Sequence, residues 1–151
     1  MTIPSRAPSL VPTPQPQGQP VNIKIELTIS EESGSAALPK KIVSMTVGDR
    51  EFGRIRSSAM MQPSPTSTHE VPLHVDARPI ITLDGRIRVN MTINYDSMGG
   101  ARDAASYPSR IQLREELGVI LESGKPLVVS QSADPLGDRK VMVEVKATIL
   151  R

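Results

Sequence analysis

The sequence predicts an all-β protein, a single antiparallel β-sandwich of about eight strands that follows an extended, proline-rich N-terminal arm. Three observations lead to this prediction. Apolar and polar residues alternate along several segments, most regularly at residues 21–30, 86–96 and 141–150. Turn and loop residues separate these segments, without the helical crossovers that a parallel sheet requires. The first 20 residues contain six of the 14 prolines.

The segment from Asp84 to Asp96, DGRIRVNMTINYD, has the clearest alternation in the chain. Asp84-Gly85 is a turn signal, and beyond it the residues of one face are apolar or aromatic: Ile87, Val89, Met91, Ile93 and Tyr95. The opposite face carries arginine, asparagine and threonine. Such a strand must have one face covered by a core. We therefore expect it to be a central strand.

The other segments with the composition of strands are residues 21–30, 41–47, 51–57, 71–77, 110–121, 126–132 and 141–151. Segment 110–121 also has helical propensity, but the odd-numbered positions of its apolar residues and Gly118 favour a strand over a helix. Pro72 and Pro79 predict that the strand near them lies at a sheet edge or a bulge. Residues 59–70 predict a long loop, and residues 122–125 predict a hairpin turn.

The chain divides into an arm or linker at residues 1–20 and a β-sandwich domain at residues 21–151. Prolines alternate with small and polar residues in the arm, which favours an extended polyproline-II conformation. The arm is either a plain linker or an interaction arm that docks through Pro12, Pro14, Pro16 and Pro20. It has no apolar signal-peptide core, so an envelope or extracellular location requires a signal upstream of Met1 or one already removed.

The composition excludes several classes of function. Aromatic residues make up only 2% of the chain, too few for a platform that stacks bases or sugars. The net charge of +2 is small, so a nucleic-acid partner is not expected. Cysteine is absent, which excludes disulfides and thiol-ligated zinc. No apolar run reaches the roughly 20 residues of a membrane-spanning helix.

No catalytic or cofactor motif emerges from the sequence, so we expect no enzyme activity and no cofactor. The chain has neither a GxSxG elbow nor a GxxxxGK[ST] phosphate loop. His69 and His74 lack an identifiable third ligand. The aspartates predicted to lie in loops, Asp96 among them, have no calcium-loop spacing, so no metal site is predicted.

Two pairs of arginines carry the most specific chemical signal. Arg54 and Arg56, and likewise Arg86 and Arg88, are two residues apart on predicted strands, so each pair projects from one face. If the two strands were neighbours, four guanidinium groups would form a patch that suits an anionic polymer. The alternative is a solvated face with acidic partners on adjacent strands.

The segment LHVDARPIITLDGRIRVNMTINYD and the later segment SRIQLREELGVILESGKPLVVSQ together resemble the strand pattern of the secretin C-terminal domain. Secretins are the ring-forming outer-membrane channels of bacterial secretion and pilus systems. In that family an apolar segment similarly leads through Asp-Gly to an alternating strand, and a later strand leads through a glycine turn to an apolar run. The resemblance covers residues 73–131 and implies a bacterial-envelope setting.

The predicted function is a non-catalytic structural or protein-interaction module of a bacterial cell-envelope or extracellular assembly. It would associate through sheet edges and its N-terminal arm. The expected partners are other protein subunits, copies of the same chain included. The alternative function is an anionic-polymer-binding β-sandwich that uses Arg54, Arg56, Arg86 and Arg88.

Overall fold

The computed structural model describes residues 3–5, 7–8, 17–98, 110–135 and 137–151. These residues form nine strands: β1 (Asn22–Ser33), β2 (Ala36–Ala37), β3 (Lys41–Gly48), β4 (Gly53–Ser64), β5 (Ser67–Ile81), β6 (Ile87–Met98), β7 (Arg110–Leu121), β8 (Leu127–Ala133) and β9 (Arg139–Leu150). Within the same residues there is no helix with the length and hydrophobicity needed to cross a membrane.

The strands form two antiparallel sheets, which confirms the predicted all-β sandwich. The first sheet has the order β2-β1-β9-β8, and β3 also pairs with β1. Since β9 pairs along all of β1, strands β2 and β3 share the opposite side of β1. The second sheet has the order β4-β5-β6-β7. The edge strands are therefore β2, β3 and β8 in the first sheet and β4 and β7 in the second.

The core lies between the two sheets and follows the period-two pattern of the sequence. Strand β1 buries Ile23, Ile25, Leu27 and Ile29, and β6 buries Ile87, Val89, Met91 and Ile93. Strand β9 contributes valines on the same parity, such as Val143 and Val145. Burying an aliphatic side chain of this size stabilises the fold by about 1.5–3 kcal/mol. The residues that alternate in the sequence are therefore those that hold the sheets together.

Two connections cross from one sheet to the other. The turn after β3 leads to β4, with Arg50 at a positive φ of 66°, and residues 122–126 lead from β7 to β8. The hairpin turn predicted at residues 122–125 is thus wrong, because β7 and β8 belong to different sheets. Gly124 takes a positive φ of 81°, and its N–H donates to the Ala147 carbonyl, which fixes the crossing turn against β9.

Residues 59–70, predicted as a loop, instead form the distal part of the β4–β5 hairpin. The pairing continues to Ser64 and Ser67, with an irregular register after Met61. Pro65 lies in the turn, where its fixed φ is tolerated, and the hydroxyls of Ser64 and Ser67 are 2.8 Å apart across it. The turn chemistry of the sequence was correct, but it applies only to the tip.

Strand β5 lies between β4 and β6, so the prediction of an edge strand from its two prolines is wrong. Each proline is instead placed where one neighbouring strand is missing. Pairing with β6 begins at Leu73, just beyond Pro72, and pairing with β4 ends at Ala77, before Pro79. The Pro79 carbonyl accepts a bond from the Arg50 N–H on the β4 side. The missing proline N–H groups therefore need not break a ladder bond.

The segment Arg110–Leu121 is a strand, as its parity predicted. It pairs with β6 along its whole length, and Leu113 and Leu121 are buried. The segment from Ile87 onward is a central strand between β5 and β7, as expected. Gly118 lies opposite Asn90, where a strand accommodates it at the cost of a missing side chain.

Candidate functional site

An open cleft of 520 Å³ lies between the two sheets, on the side of edge strands β3 and β4. One wall comes from the start of β3 and the residues before it, and the other comes from the β4–β5 hairpin. The walls are mostly apolar or small, and are formed by Leu38, Pro39, Lys41, Ser57, Ser58, Ala59, Met61, Val71 and Leu73. The floor carries the polar groups, on Glu31, Tyr95, Asp96 and Ser97.

The floor of the cleft is polar because the inward faces of three strands end in polar residues there. On β1, Glu31 follows Ile29 on the inward parity, and on β6, Tyr95 and Ser97 follow Ile93. Arg139 opens β9 on its inward face. All four residues are buried, although glutamate and arginine rarely are without a partner.

Arg139 connects the two sheets at this floor. Its Nη2 donates to Glu31 Oε1 at 3.3 Å in the first sheet and to the Ser97 hydroxyl in the second. The side chains of Arg139 and Glu31 are only 8% and 7% exposed. Among the described residues, the buried Nε and Nη1 groups of Arg139 have no hydrogen-bond partner. Buried donors are usually paired, so this part of the chain satisfies the guanidinium only in part.

Tyr95 is held in its neutral form by the same surroundings. Burial and the nearby Glu31 carboxylate raise the pKa of the Tyr95 phenol from 10.0 to about 12. Both effects disfavour a second negative charge beside Glu31. The floor therefore offers hydroxyl groups and an ion pair.

The opposite end of the sandwich is closed by Asp49, which is 4% exposed. Its Oδ1 accepts from the Ile81 N–H at 2.8 Å, and its Oδ2 accepts from the Gln19 N–H at 2.7 Å. Gly18 lies so close that a Cβ there would be 2.0 Å from the Asp49 carbonyl oxygen. Asp49 thus fastens the end of the N-terminal arm to the β3–β4 turn and to β5.

The four predicted arginines do not lie on neighbouring strands, because β5 separates β4 from β6. Arg54 and Arg56 both approach Asp76 on β5, with Arg56 Nη1 at 2.7 Å from Asp76 Oδ1. The Arg56 guanidinium lowers the pKa of Asp76. The condition for a four-arginine patch is therefore not met.

The other arginine pair is also divided. Arg86 lies before β6 and pairs with Asp84 at 2.7 Å, which lowers the pKa of that carboxyl group. Arg88 lies on β6, opposite Ile80 and Ile120. Anion binding by these residues stays a prediction. Of the predicted arm residues, Pro20 is exposed, while Pro12, Pro14 and Pro16 lie outside the described residues.

Sequence reasoning missed the floor of the cleft. Asp96, taken as a loop residue, is a buried residue of β6, and Glu31 and Arg139 were not singled out. A usable signal was present in the sequence. Glu31 and Arg139 each occupy an inward-facing position of a strand whose remaining inward-facing residues are all apolar or small. Among the described residues no group of three or more metal-binding side chains occurs.

Comparison with known proteins identifies the fold. No protein-family model and no curated protein matches the chain. Among solved structures, the type II secretin GspD from enteropathogenic Escherichia coli has 12% identity and a TM-score of 0.49, covering 87% of this chain and 67% of that chain. The V. cholerae type IV competence pilus secretin PilQ has 12% identity and a TM-score of 0.48, covering 86% and 59%.

Aeromonas hydrophila ExeD has 13% identity and a TM-score of 0.51, covering 87% of this chain and 47% of that chain. This chain therefore spans from about half to two thirds of the length of these structures. At such low identity the likeness is one of fold. It confirms the resemblance to secretins predicted from residues 73–131 and extends it over most of the chain.

Proposed function

We propose that this chain is a non-catalytic module of a bacterial-envelope assembly, which joins other subunits, copies of itself included, through sheet edges and its N-terminal arm. The likeness in fold to solved secretins supports the envelope setting. The observation that carries the proposal is the position of the exposed apolar side chains.

Large apolar side chains are exposed mainly on edge strands. Among the described strand residues, those with such side chains are Ile42, Met60, Ile120, Leu127, Val128 and Leu150. All but Leu150 lie on β3, β4, β7 or β8, which are edge strands. Ile42 is 70% exposed and Met60 69%. Exposed apolar edges promote pairing with another chain, and natural proteins usually protect them with charges.

The edge strands differ in such protection. Strand β7 carries Arg114, Glu115 and Glu116, and the inward carboxylate of Glu115 accepts a bond from the Ser130 hydroxyl on β8. Strand β8, LVVSQSA, has no charged residue at all. An inward charge discourages edge pairing, whereas an uncharged edge permits it. We therefore infer that β8 is the more open edge on its side of the sandwich.

The strand directions in the first sheet allow the sheet of one copy to be extended by the sheet of an identical copy. Strand β3 is antiparallel to β1, β1 to β9, and β9 to β8. Consequently β3 and β8 run in opposite directions, and β8 of one copy can meet β3 of an equally oriented copy as an antiparallel neighbour. A contact between two different surfaces repeats from copy to copy and produces a ring or a filament.

Charges placed on these edges test the proposal in the full chain. Val128→Lys and Ile42→Lys each put a charge on an exposed edge position, opposite Glu144 and Thr28 respectively. Thr92→Lys is the matched control, since it adds the same charge to an exposed position on central strand β6, opposite Asp76 and Glu116.

Light scattering after size exclusion then gives the mass of each variant. We expect the unaltered chain and Thr92→Lys to form the same multimer, and both edge variants to give a lower mass. A full chain that stays monomeric at every concentration would refute the proposal. Equal masses for the edge variants and the unaltered chain would refute the role of the β3 and β8 edges.

A further inference from the structure

The prolines of the N-terminal arm share one parity. They occupy positions 4, 8, 12, 14, 16 and 20, all of them even. In an extended chain the N–H and C=O groups of successive residues point to opposite sides, so every proline of an extended arm lies on the same edge. The odd-numbered residues keep their N–H groups on the other edge. Such an arm can pair as a strand on one side only.

A one-sided strand is suited to completing an exposed sheet edge. It satisfies the unpaired groups of that edge, while its proline side offers no donor to a further chain. A linker that merely spans a distance has no need for prolines of one parity. The parity therefore indicates an arm that binds along a strand.

Edge strand β4 contains an unprotected stretch that fits this arm. In its first half, Arg54 and Arg56 supply charges that discourage pairing with another strand, and Pro63 lies near its end. Residues Ser57 to Met61, SSAMM, carry no charge, and Ser57, Ser58 and Ala59 are small and exposed. Every second residue of this stretch directs its N–H and C=O away from β5. Small side chains leave those groups accessible to an added strand.

The cleft beside this stretch provides an apolar surface for the arm. Its walls include Leu38 and Pro39 on one side and Met61 and Leu73 on the other. Its volume of 520 Å³ lies in the range of about 300–1,000 Å³ that is usual for ligand pockets. The arm supplies Ile3, Leu10 and Val11 as apolar residues. In a single copy the described arm residues are exposed, and Ile3 is 90% exposed.

We propose that the N-terminal arm of a second copy binds as an added strand along Ser57–Met61 of β4, with one of its two faces directed into the cleft. This inference rests on the proposed function, because it identifies one of the contacts that join copies. Gln19 is fixed by Asp49 at the closed end of the sandwich. The ten residues of β1 that lead from this end to Glu31 at the cleft span about 33 Å. The 16 residues before Gln17 extend to about 50 Å, which suffices to reach the cleft of a neighbour.

The absence of cysteine from the chain allows a direct test by disulfide formation. One full-length variant carries Val11→Cys in the arm, and a second carries Ser58→Cys on β4. In an equimolar mixture under mild oxidation, a heterodimer forms only if the arm of one copy reaches β4 of another. The matched control replaces the second variant by Thr92→Cys, which is exposed on the outer face of β6.

We expect at least about tenfold more heterodimer with Ser58→Cys than with Thr92→Cys, because a bound arm raises the local thiol concentration. A double variant with both Val11→Cys and Ser58→Cys on one chain detects binding within a copy. Predominantly internal disulfides in that variant, or equal yields for Ser58→Cys and Thr92→Cys, would overturn the proposal.

Proline parity gives an independent measurement. Thr13→Pro places a proline on the pairing edge of the arm, whereas Leu10→Pro adds one to the edge that already holds the others. We expect the arm with Thr13→Pro to lose most of its cross-linking to Ser58→Cys, and the arm with Leu10→Pro to retain it. Equal effects of both would contradict a paired strand. If cross-linking fails while the edge variants still lower the mass of the multimer, this inference falls and the proposed function stands.

Discussion

Asp49 at one end of the sandwich and Glu31 at the other are both buried carboxylates, and they are satisfied in different ways. Asp49 accepts one backbone N–H on each oxygen, from Gln19 and Ile81, and closes its end of the fold. At the other end, Glu31 is paired with Arg139, and two buried donors of that guanidinium have no partner among the described residues. Within this part of the chain, Asp49 is paired on both oxygens and Arg139 is paired only in part.

The difference separates a structural end from an end that can accept a partner. A carboxylate that accepts backbone N–H groups gains charge-assisted hydrogen bonds without burying a second charge. A buried ion pair must offset the desolvation of two ions, and it often adds little net stability. The open cleft lies at the end with the ion pair. The ion pair and the cleft at the Glu31 end therefore agree with the partner site proposed there, and the Asp49 end has the contacts of a structural clamp.

The largest expected effect comes from breaking the ion pair. Arg139→Met leaves Glu31 buried without its partner, so we expect the free energy of unfolding to fall by about 3–5 kcal/mol. The double variant Glu31→Leu with Arg139→Met removes both charges and should lie close to the unaltered chain. Urea unfolding followed by circular dichroism measures both. A cost below about 1 kcal/mol for Arg139→Met alone would show that the pair is already well solvated.

At the closed end, Asp49→Ala removes both bonds that hold the arm and β5. Hydrogen bonds to charged groups contribute about 1.5–3 kcal/mol each, but the exposed Gln19 regains a bond to water in the variant, so we expect a loss of about 2–4 kcal/mol in the free energy of unfolding. The exposed neighbour Glu51 supplies the control, because Glu51→Ala on the same turn should change stability little. Hydrogen exchange of the Gln19 and Ile81 amides should increase with Asp49→Ala. Unchanged exchange would contradict the clamp.

A smaller effect concerns pH at the cleft floor. Folding raises the pKa of Tyr95 from 10.0 to about 12, so this contribution to stability is fully present below pH 10 and is lost as the pH rises toward 12. Two pKa units correspond to about 2.7 kcal/mol, which solvent screening at the open cleft reduces to roughly 1–2 kcal/mol. The free energy of unfolding should fall less over this range in Tyr95→Phe than in the unaltered chain. Parallel pH profiles would show that Tyr95 does not sense the buried Glu31.

The smallest effect is expected on the exposed faces. Replacing Arg54 and Arg56 by Gln removes partly exposed ion pairs with Asp76, and such pairs contribute about 0–1 kcal/mol each. If the predicted anion binding exists, the same change should weaken binding to a sulfated polymer in a salt-dependent manner. Changing Arg86 and Arg88 to Gln tests the other pair. Binding that responds to neither change nor to salt would eliminate this function.

The sequence predicted the fold better than the site, and particular residues explain why. Alternation identified β1, β6, β7 and β9, because a half-buried strand must expose one face and cover the other. It could not show that β5 is central despite Pro72 and Pro79, since that depends on where the neighbouring strands end. The sequence did not predict the cleft floor, because Glu31 and Arg139 are 108 residues apart in the sequence. Only the pairing of β1 with β9 brings them together.

The central claim is that copies join through two different edges, β8 of one copy and β3 of the next. Mixing the full-length variants Ile42→Lys and Val128→Lys tests it most directly, because the first keeps an intact β8 and the second an intact β3. Sedimentation velocity should give a higher average mass for the equimolar mixture than for either variant alone at the same total concentration. A mixture whose mass equals the mean of the two separate variants would contradict the claim.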